Sequence, residues 1–308
     1  PGRRAGAMPQ RERPPPDLRE PEPRRLGERL WRSAPLRDLP ACDFFPRAHY
    51  AAVALSSADQ AYVLGGSRGN SHMNDVWQLR LLQDKGMWRW TQVSPHEDGR
   101  RSGEGGQVTR SKWSGRSRLA AAAYARCLYV VGGQGVGFSG NAPEDFWASE
   151  DGGAAWFCMC RKVPWGGRLE PGLAVVPGRY ERLVLVGGIV PSGMYVSNEV
   201  WVTEDAGSSW RKVATPEWEP RSAPVLYFAP PAGRQPRVLL VLGGCRMVEE
   251  SAGDRAGAAK SRYLDDAWEV ELDFATAGSA WREVGAQAPE DVEDDARGFD
   301  SRVAAFEA

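Results

Sequence analysis

Apolar residues in this chain come in short runs that stop at paired glycines. Leu183-Val184-Leu185-Val186 ends at Gly187-Gly188; a variable stretch follows, then Asn198-Glu199-Val200-Trp201, a polar turn and a second tryptophan, Trp210. The same order recurs three times. Leu128-Tyr129-Val130-Val131 meets Gly132-Gly133, then Glu144-Asp145-Phe146-Trp147 and Trp156. Tyr62-Val63-Leu64 meets Gly65-Gly66, then Asn74-Asp75-Val76-Trp77 and Trp90. The run from Val238 to Leu242 meets Gly243-Gly244, then Asp265-Asp266-Ala267-Trp268 and Trp281. Runs this short have strand length, and glycines end them by adopting backbone angles closed to other residues. Alternation resumes at Val200-Trp201-Val202, and each closing tryptophan opens another short strand, as in Trp210-Arg211-Lys212-Val213. One more apolar segment precedes every Gly-Gly, such as the stretch from Tyr50 to Leu55 or Val225-Leu226-Tyr227-Phe228. Each unit therefore predicts four short strands joined by Gly, Pro, Asp and Ser turns, with no helical period in competition.

A unit of this length repeated in register implies a solenoid, propeller or array, and four strands per unit select the propeller blade. The strand ending in Gly-Gly, the acidic-x-aromatic step and the tryptophan that opens the outer strand resemble the kelch repeat of β-propellers, the kind found in galactose-oxidase-like central propellers. The resemblance covers roughly residues 47–284 and implies an all-β fold with four complete blades, at about 47–94, 116–164, 168–215 and 221–285. Gly65, Gly66, Gly132, Gly133, Gly187, Gly188, Gly243 and Gly244 end the second strands. Trp77, Trp147, Trp201 and Trp268 occupy equivalent core positions, and Trp156, Trp210 and Trp281 open outer strands. Residues 31–34 resemble the last strand of a further blade and residues 301–306 the first strand of another, which predicts an incomplete ring with unpaired strand edges.

Two copies carry a second signature. Ser149-Glu150-Asp151-Gly152-Gly153-Ala154-Ala155-Trp156 and Thr203-Glu204-Asp205-Ala206-Gly207-Ser208-Ser209-Trp210 resemble the Asp-box of BNR-like repeats, S/T-x-D-x-G-x-x-W. Here the two tryptophans of a unit stand nine positions apart, against thirteen in the first and fourth units, so the box reads as a compact hairpin turn. Asp151 and Asp205 are expected to bond local backbone groups. Sialidases carry such boxes as structural turns away from the catalytic centre, and the rest of the sialidase pattern is missing from this sequence.

Composition narrows the function classes. A formal net charge of −1 gives no pull toward nucleic acid or membrane, and no apolar run approaches the ~20 residues of a spanning helix. Neither an Asn-x-Ser/Thr site nor an apolar leader is present, which suggests a cytoplasmic protein. Cys42, Cys127, Cys158, Cys160 and Cys245 lack zinc spacing and read as reduced thiols; on one strand Cys158 and Cys160 would share a face. Residues 1–28, rich in Arg, Pro and Glu, read as a disordered leader, with the propeller domain at 29–308. The start at Pro1 suggests a fragment or a processed product.

Three stretches depart from the repeat: 95–118, 249–262 and the acidic 290–300. In an up-and-down blade the connections after the second and fourth strands emerge at one end, so all three share a face, opposite the Asp-boxes. An arginine precedes each first strand on that face: Arg47, Arg116, Arg168 and Arg221, with Arg297 further on. Two readings stand. These arginines, with Arg100, Arg101 and Trp113 of the first long loop, bind an acidic ligand, or each arginine pairs with an acid of the series Asp75, Asp145, Glu199 and Asp266. Catalysis finds little footing. Gly65-Gly66-Ser67-Arg68-Gly69 spells the nucleophile-elbow string, but it falls at the end of a blade strand and not at a strand-to-helix turn. His49, His72 and His96 carry no metal spacing, so no catalytic residue, metal or cofactor is assigned. The expected function is a non-enzymatic binding scaffold for a protein or an acidic small-molecule or carbohydrate ligand, with self-association through open edges. The alternative is a propeller enzyme acting on a carbohydrate or acidic sugar, as an isomerase, oxidase or glycosidase.

Overall fold

The structure is a computed structural model that describes residues 46–55, 60–82, 87–97, 100–101, 108–109, 112–135, 142–213, 215–228, 239–249, 259–272 and 279–284. The leader, the fragments at 31–34 and 301–306, Arg297 and the acidic stretch 290–300 lie outside these residues.

Four antiparallel four-stranded sheets follow one another, each with its strands in chain order. Blade 1 comprises Ala51–Leu55, Gln60–Leu64, Val76–Leu82 and Met87–Ser94. Blade 2 comprises Ala120–Tyr124, Cys127–Val131, Phe146–Ser149 and Phe157–Cys160. Blade 3 comprises Gly172–Val175, Leu183–Val186, Val200–Thr203 and Arg211–Lys212, and blade 4 Val225–Phe228, Leu239–Glu249, Ala259–Leu272 and Ser279–Glu283. First strands of successive blades lie beside one another. The all-β propeller architecture expected from the repeats is what forms.

Register explains the repeated tryptophans. Trp77, Trp147, Trp201 and Trp268 stand opposite Val63, Val130, Leu185 and Val241, one per blade at the same point of the third strand. Because strand side chains alternate between faces, the second strands of blades 2 and 3 bury residues in two gaps at once. Leu128 and Val130 pack toward blade 1, while Tyr129 and Val131 pack toward blade 3. Three gap cores result, and the third joins Val184 and Val186 to Val241 and Val270.

Gly-Gly is where one blade touches the next. The Gly188 amide donates to the Arg221 carbonyl at 2.9 Å, and the Gly66 and Gly133 amides do the same to Arg116 and Arg168. A Cβ on Gly187 would come within 2.3 Å of that Arg221 carbonyl, so only glycine allows the approach. Blade 4 departs from the pattern. Its ladder shifts register between Leu242 and Gly244 and then continues to Glu249, pairing with Ala259. Glu249 and residues 259–262 of the stretch expected to be a loop at 249–262 are therefore strand, and 250–258 lie outside the described residues.

Candidate functional site: the long-loop face and the ion pairs beneath it

The four arginines sit inside the blades. Arg47 grips Asp75 at 2.5 and 2.9 Å, Arg116 grips Asp145 at 2.8 and 3.2 Å, and Arg221 grips Asp266 at 2.8 and 2.7 Å. Arg168 reaches Glu199 at 2.5 Å, and the other Glu199 oxygen accepts from Lys212 at 2.7 Å. Each Nη1 also donates to the carbonyl of its blade's first glycine, Gly65, Gly132, Gly187 or Gly243. Each carboxylate accepts once more, from the indole N–H two residues on: Trp77, Trp147, Trp201 or Trp268. Gly-Gly, arginine and acid-x-Trp are thus parts of one knot that ties the first, second and third strands of a blade. Burial alone pushes the acids toward higher pKa. The arginine and indole contacts, led at Glu199 by its bond from Lys212, outweigh it and hold Asp75, Asp145, Glu199 and Asp266 below the ordinary range. Of the two sequence readings, this geometry is the ion pair. Side chains of Arg116, Arg168 and Arg221 are fully buried and present nothing to solvent.

Trp113 is buried as well, and it belongs to a repeat that the sequence reading missed. Trp113, Trp165 and Trp218 each stand three residues before an arginine. Each packs edge-on against the closing tryptophan of the blade that follows: Trp156 at 5.8 Å, Trp210 at 4.7 Å and Trp218's partner Trp281 at 4.5 Å between centroids. Arg116 and Arg221 lie over the Trp113 and Trp218 rings. The spacing Trp-x-x-Arg was the available signal. Lys112, beside Trp113 in the same long stretch, is buried too. It donates to Ser94 at 2.6 Å and to the Pro95 carbonyl, and its pKa is lowered to about 8 by burial, against the pull of Glu97 and Asp75. Arg100–Arg101 form a two-residue strand paired with Val108–Thr109.

What faces outward at this end is a different set. His49, Arg118, Glu170 and Ala223, each two residues past a buried arginine, all have left-handed φ between 51° and 55°. Their backbones link the blades: Arg118 donates to the His49 carbonyl, Glu170 to Arg118, and Ala223 to Glu170, at 2.7 to 2.8 Å. Arg118 and Glu170 also pair through their side chains at 2.7 Å. His72 lies 3.1 Å from the Ser117 hydroxyl, and His96 accepts from the Asn74 amide at 3.2 Å. Among the described residues no three His, Cys, Asp or Glu side chains are placed to hold a metal ion. Cys158 and Cys160 are half-buried free thiols, with the Cys158 sulfur 3.5 Å from the Cys160 carbonyl.

Further out, the hairpin of Ile189–Val190 and Tyr195–Val196 lies against the long second strand of blade 4. It carries Met194, 91% exposed, and Tyr195; the neighbouring hairpin carries Tyr263, 74% exposed. On that blade 4 hairpin Arg246 stands opposite Arg262, and the two lie 2.8 and 3.7 Å from Glu219.

Four-stranded blades, each knotted by arginine, glycine pair and acid-x-Trp, define a kelch-type β-propeller. Among solved structures the kelch-repeat propeller protein YjhT shares this fold, with a TM-score of 0.52 over 75% of this chain and 70% of that one. Identity over the match is 15%, so the likeness is one of fold. No family model and no curated protein matches the sequence.

Proposed function

We propose that this protein is a non-enzymatic binding scaffold that presents the long-loop face of its propeller to a protein partner. The observation that carries the reading is the exposure of Met194, Tyr195 and Tyr263 on adjoining hairpins of blades 3 and 4, the second of which also carries Arg246 and Arg262. Met, Tyr and Arg are the residue types that protein interfaces enrich, and large apolar side chains so exposed are costly on a surface with no partner. Loops on a rigid scaffold carry binding more often than the scaffold does. The test is affinity capture with the immobilised full chain, comparing wild type with the double variant Met194→Asp, Tyr263→Asp. A partner lost by this variant and kept by Asp205→Ala, which alters the opposite face, supports the reading. A partner retained by the double variant at unchanged affinity would refute it.

The alternative, an acidic sugar as ligand or substrate, draws on the polar inner margin of the same face, where His49 and the Arg118–Glu170 pair stand in left-handed backbone. NMR titration with a panel of sugar acids tests it separately, since Arg118→Ala should remove such binding and leave the protein partner unaffected.

A further inference from the structure

Blades 2 and 3 share the Asp-box, yet they differ in one charge pair. In blade 3 the box glutamate, Glu204, is neutralised by Arg182 at 2.7 Å. Leu128 stands opposite Ser149 as Leu183 stands opposite Thr203, so Cys127 holds the place of Arg182 in blade 2 and Glu150 that of Glu204. A thiol therefore replaces the arginine. Glu150 is exposed and has no ion pair or side-chain hydrogen bond among the described residues. Arg126, on the adjoining turn, donates to the Asp151 carbonyl at 3.4 Å. Glu150 lines the gap between blades 2 and 3; burial raises the Cys127 thiol, burial and then Cys127 raise the Tyr129 hydroxyl, and the Glu150 charge adds to both.

In that gap, at the Asp-box end, is a pocket of about 290 Å³. Its walls are mostly carbon: Tyr129, Phe157, Tyr180, Met159 and Ala148, with Ala206 reaching in from blade 3. Phe157 is 58% exposed and Tyr180 is exposed beside it, an unusual outlay of aromatic surface at a rim. Glu150 is part of the lining, and the Tyr129 and Ser149 hydroxyls beside it are already engaged. Tyr129 donates to the Tyr180 carbonyl at 2.9 Å, and the Ser149 hydroxyl donates to Asp151 while accepting from the Gly153 amide. A neutral polar ligand would find few partners here, and a bare ammonium would leave N–H groups unmet. A cation jacketed in methyl groups has no N–H to satisfy. It gains from ring faces and from a nearby carboxylate.

We propose that this pocket binds a trimethylammonium group. The volume lies at the lower end of ligand-binding sites and has room for such a group. Isothermal titration of the full chain tests it with three probes: choline, the neutral isostere 3,3-dimethylbutan-1-ol, and a short peptide carrying trimethyl-lysine. Choline binding should be saturable, with the isostere about tenfold weaker or worse, the discrimination that ring faces and one carboxylate supply. Glu150→Gln should bring choline down toward the isostere and leave the isostere unchanged. Phe157→Ala should remove both, and Cys127→Arg, which rebuilds the blade 3 pair, should remove choline binding while the protein still melts cooperatively. Glu204→Gln, whose charge is already spent on Arg182, should change neither. A peptide that binds more tightly than choline assigns the group to a methylated side chain; choline equal or tighter assigns it to a free small ligand. The proposal is overturned if the isostere binds as well as choline, if Glu150→Gln has no effect, or if choline fails to saturate the folded wild type.

Discussion

A buried guanidinium costs several kcal/mol unless its donors and its charge are met; each repeated arginine meets its charge inside its own blade, and its donors too except for Nε of Arg168. Arg116 donates from Nε to the Ser114 carbonyl, from Nη1 to Gly132 and Asp145, and from Nη2 to the Ser114 hydroxyl and Asp145. Truncating one partner leaves the rest of such a knot unsatisfied. Arg221→Ala should therefore cost about 3 kcal/mol and lower the melting temperature by roughly 10 °C for a domain of this size. Arg221→Lys should recover only part of the loss, since an ammonium cannot span the Asp266 carboxylate and the Gly243 carbonyl in one plane. Thermal melts of the two variants decide it, and an unchanged Arg221→Ala would free the arginines for the ligand role set out from sequence. The carboxylates give a pH signature. Their folded pKa values lie below the unfolded ones near 4, so around that pH the folded state binds fewer protons than the unfolded. Their contribution is complete above the unfolded value and is lost as pH falls through the folded one. Urea melts should show stability level from neutral pH to about 5 and falling below about 4. Asp266→Asn should make that acid limb shallower; an acid limb as steep as wild type would mean that the knots do not drive it.

The Asp-box turns are built by the same economy in a shorter loop. Asp205 accepts from the Ser209 amide at 2.8 Å and from the Thr203 hydroxyl at 2.7 Å, Thr203 accepts from the Gly207 amide, and the Trp210 indole donates back to the Gly207 carbonyl. Asp205→Ala should cost about 1 kcal/mol, the net worth of such local bonds. Gly207→Ala should cost more, about 2 kcal/mol or above. Its φ is +93°, and a Cβ there would sit 2.2 Å from the Phe146 ring. Chemical denaturation of the pair gives the order, and Asp205→Ala proving the worse would mean that the turn is held by its carboxylate more than by its fit against blade 2. These elements were legible because their chemistry is local: a strand, a glycine pair, an acid two residues before a tryptophan. Partners 28 to 45 residues apart, such as Arg47 with Asp75 or Arg221 with Asp266, could be guessed as a class from repetition but not placed. Trp-x-x-Arg escaped notice because Trp113 falls in a basic loop, where its exposure was assumed. The extended blade 4 hairpin carries Arg246, Ser261 and Arg262 and shows no apolar alternation to announce a strand. The pocket between blades 2 and 3 could not be read at all, because it depends on a missing arginine that only a comparison of registers reveals.

At the scale of the molecule, each of the three described gaps is filled by tryptophans of the later blade packed on apolar residues of the earlier one. Trp113, Trp147 and Trp156 meet Leu64 and Val76; Trp165, Trp201 and Trp210 meet Tyr129 and Val131; Trp218, Trp268 and Trp281 meet Val184 and Val186. Blade 4 offers the same kind of aliphatic face on its far side. Val225 of the first strand stands opposite Leu242 of the second, and Leu240 lies two residues before Leu242, so the three share that face, on which no blade lies among the described residues. Val225 is 53% exposed, and Leu240 and Leu242 are only half-buried. At about 25 cal/mol for each Å² of apolar surface, a sheet face of this composition gains by finding a cover, and a second copy of the chain is the cover always at hand. Sedimentation velocity of the full chain should show association that grows with concentration, and Val225→Asp should shift the distribution toward monomer by placing a charge on the contact. A wild-type chain that stays monomeric across the concentration range, with Val225→Asp lowering its melting temperature instead, would mean that the face is covered from within the same chain.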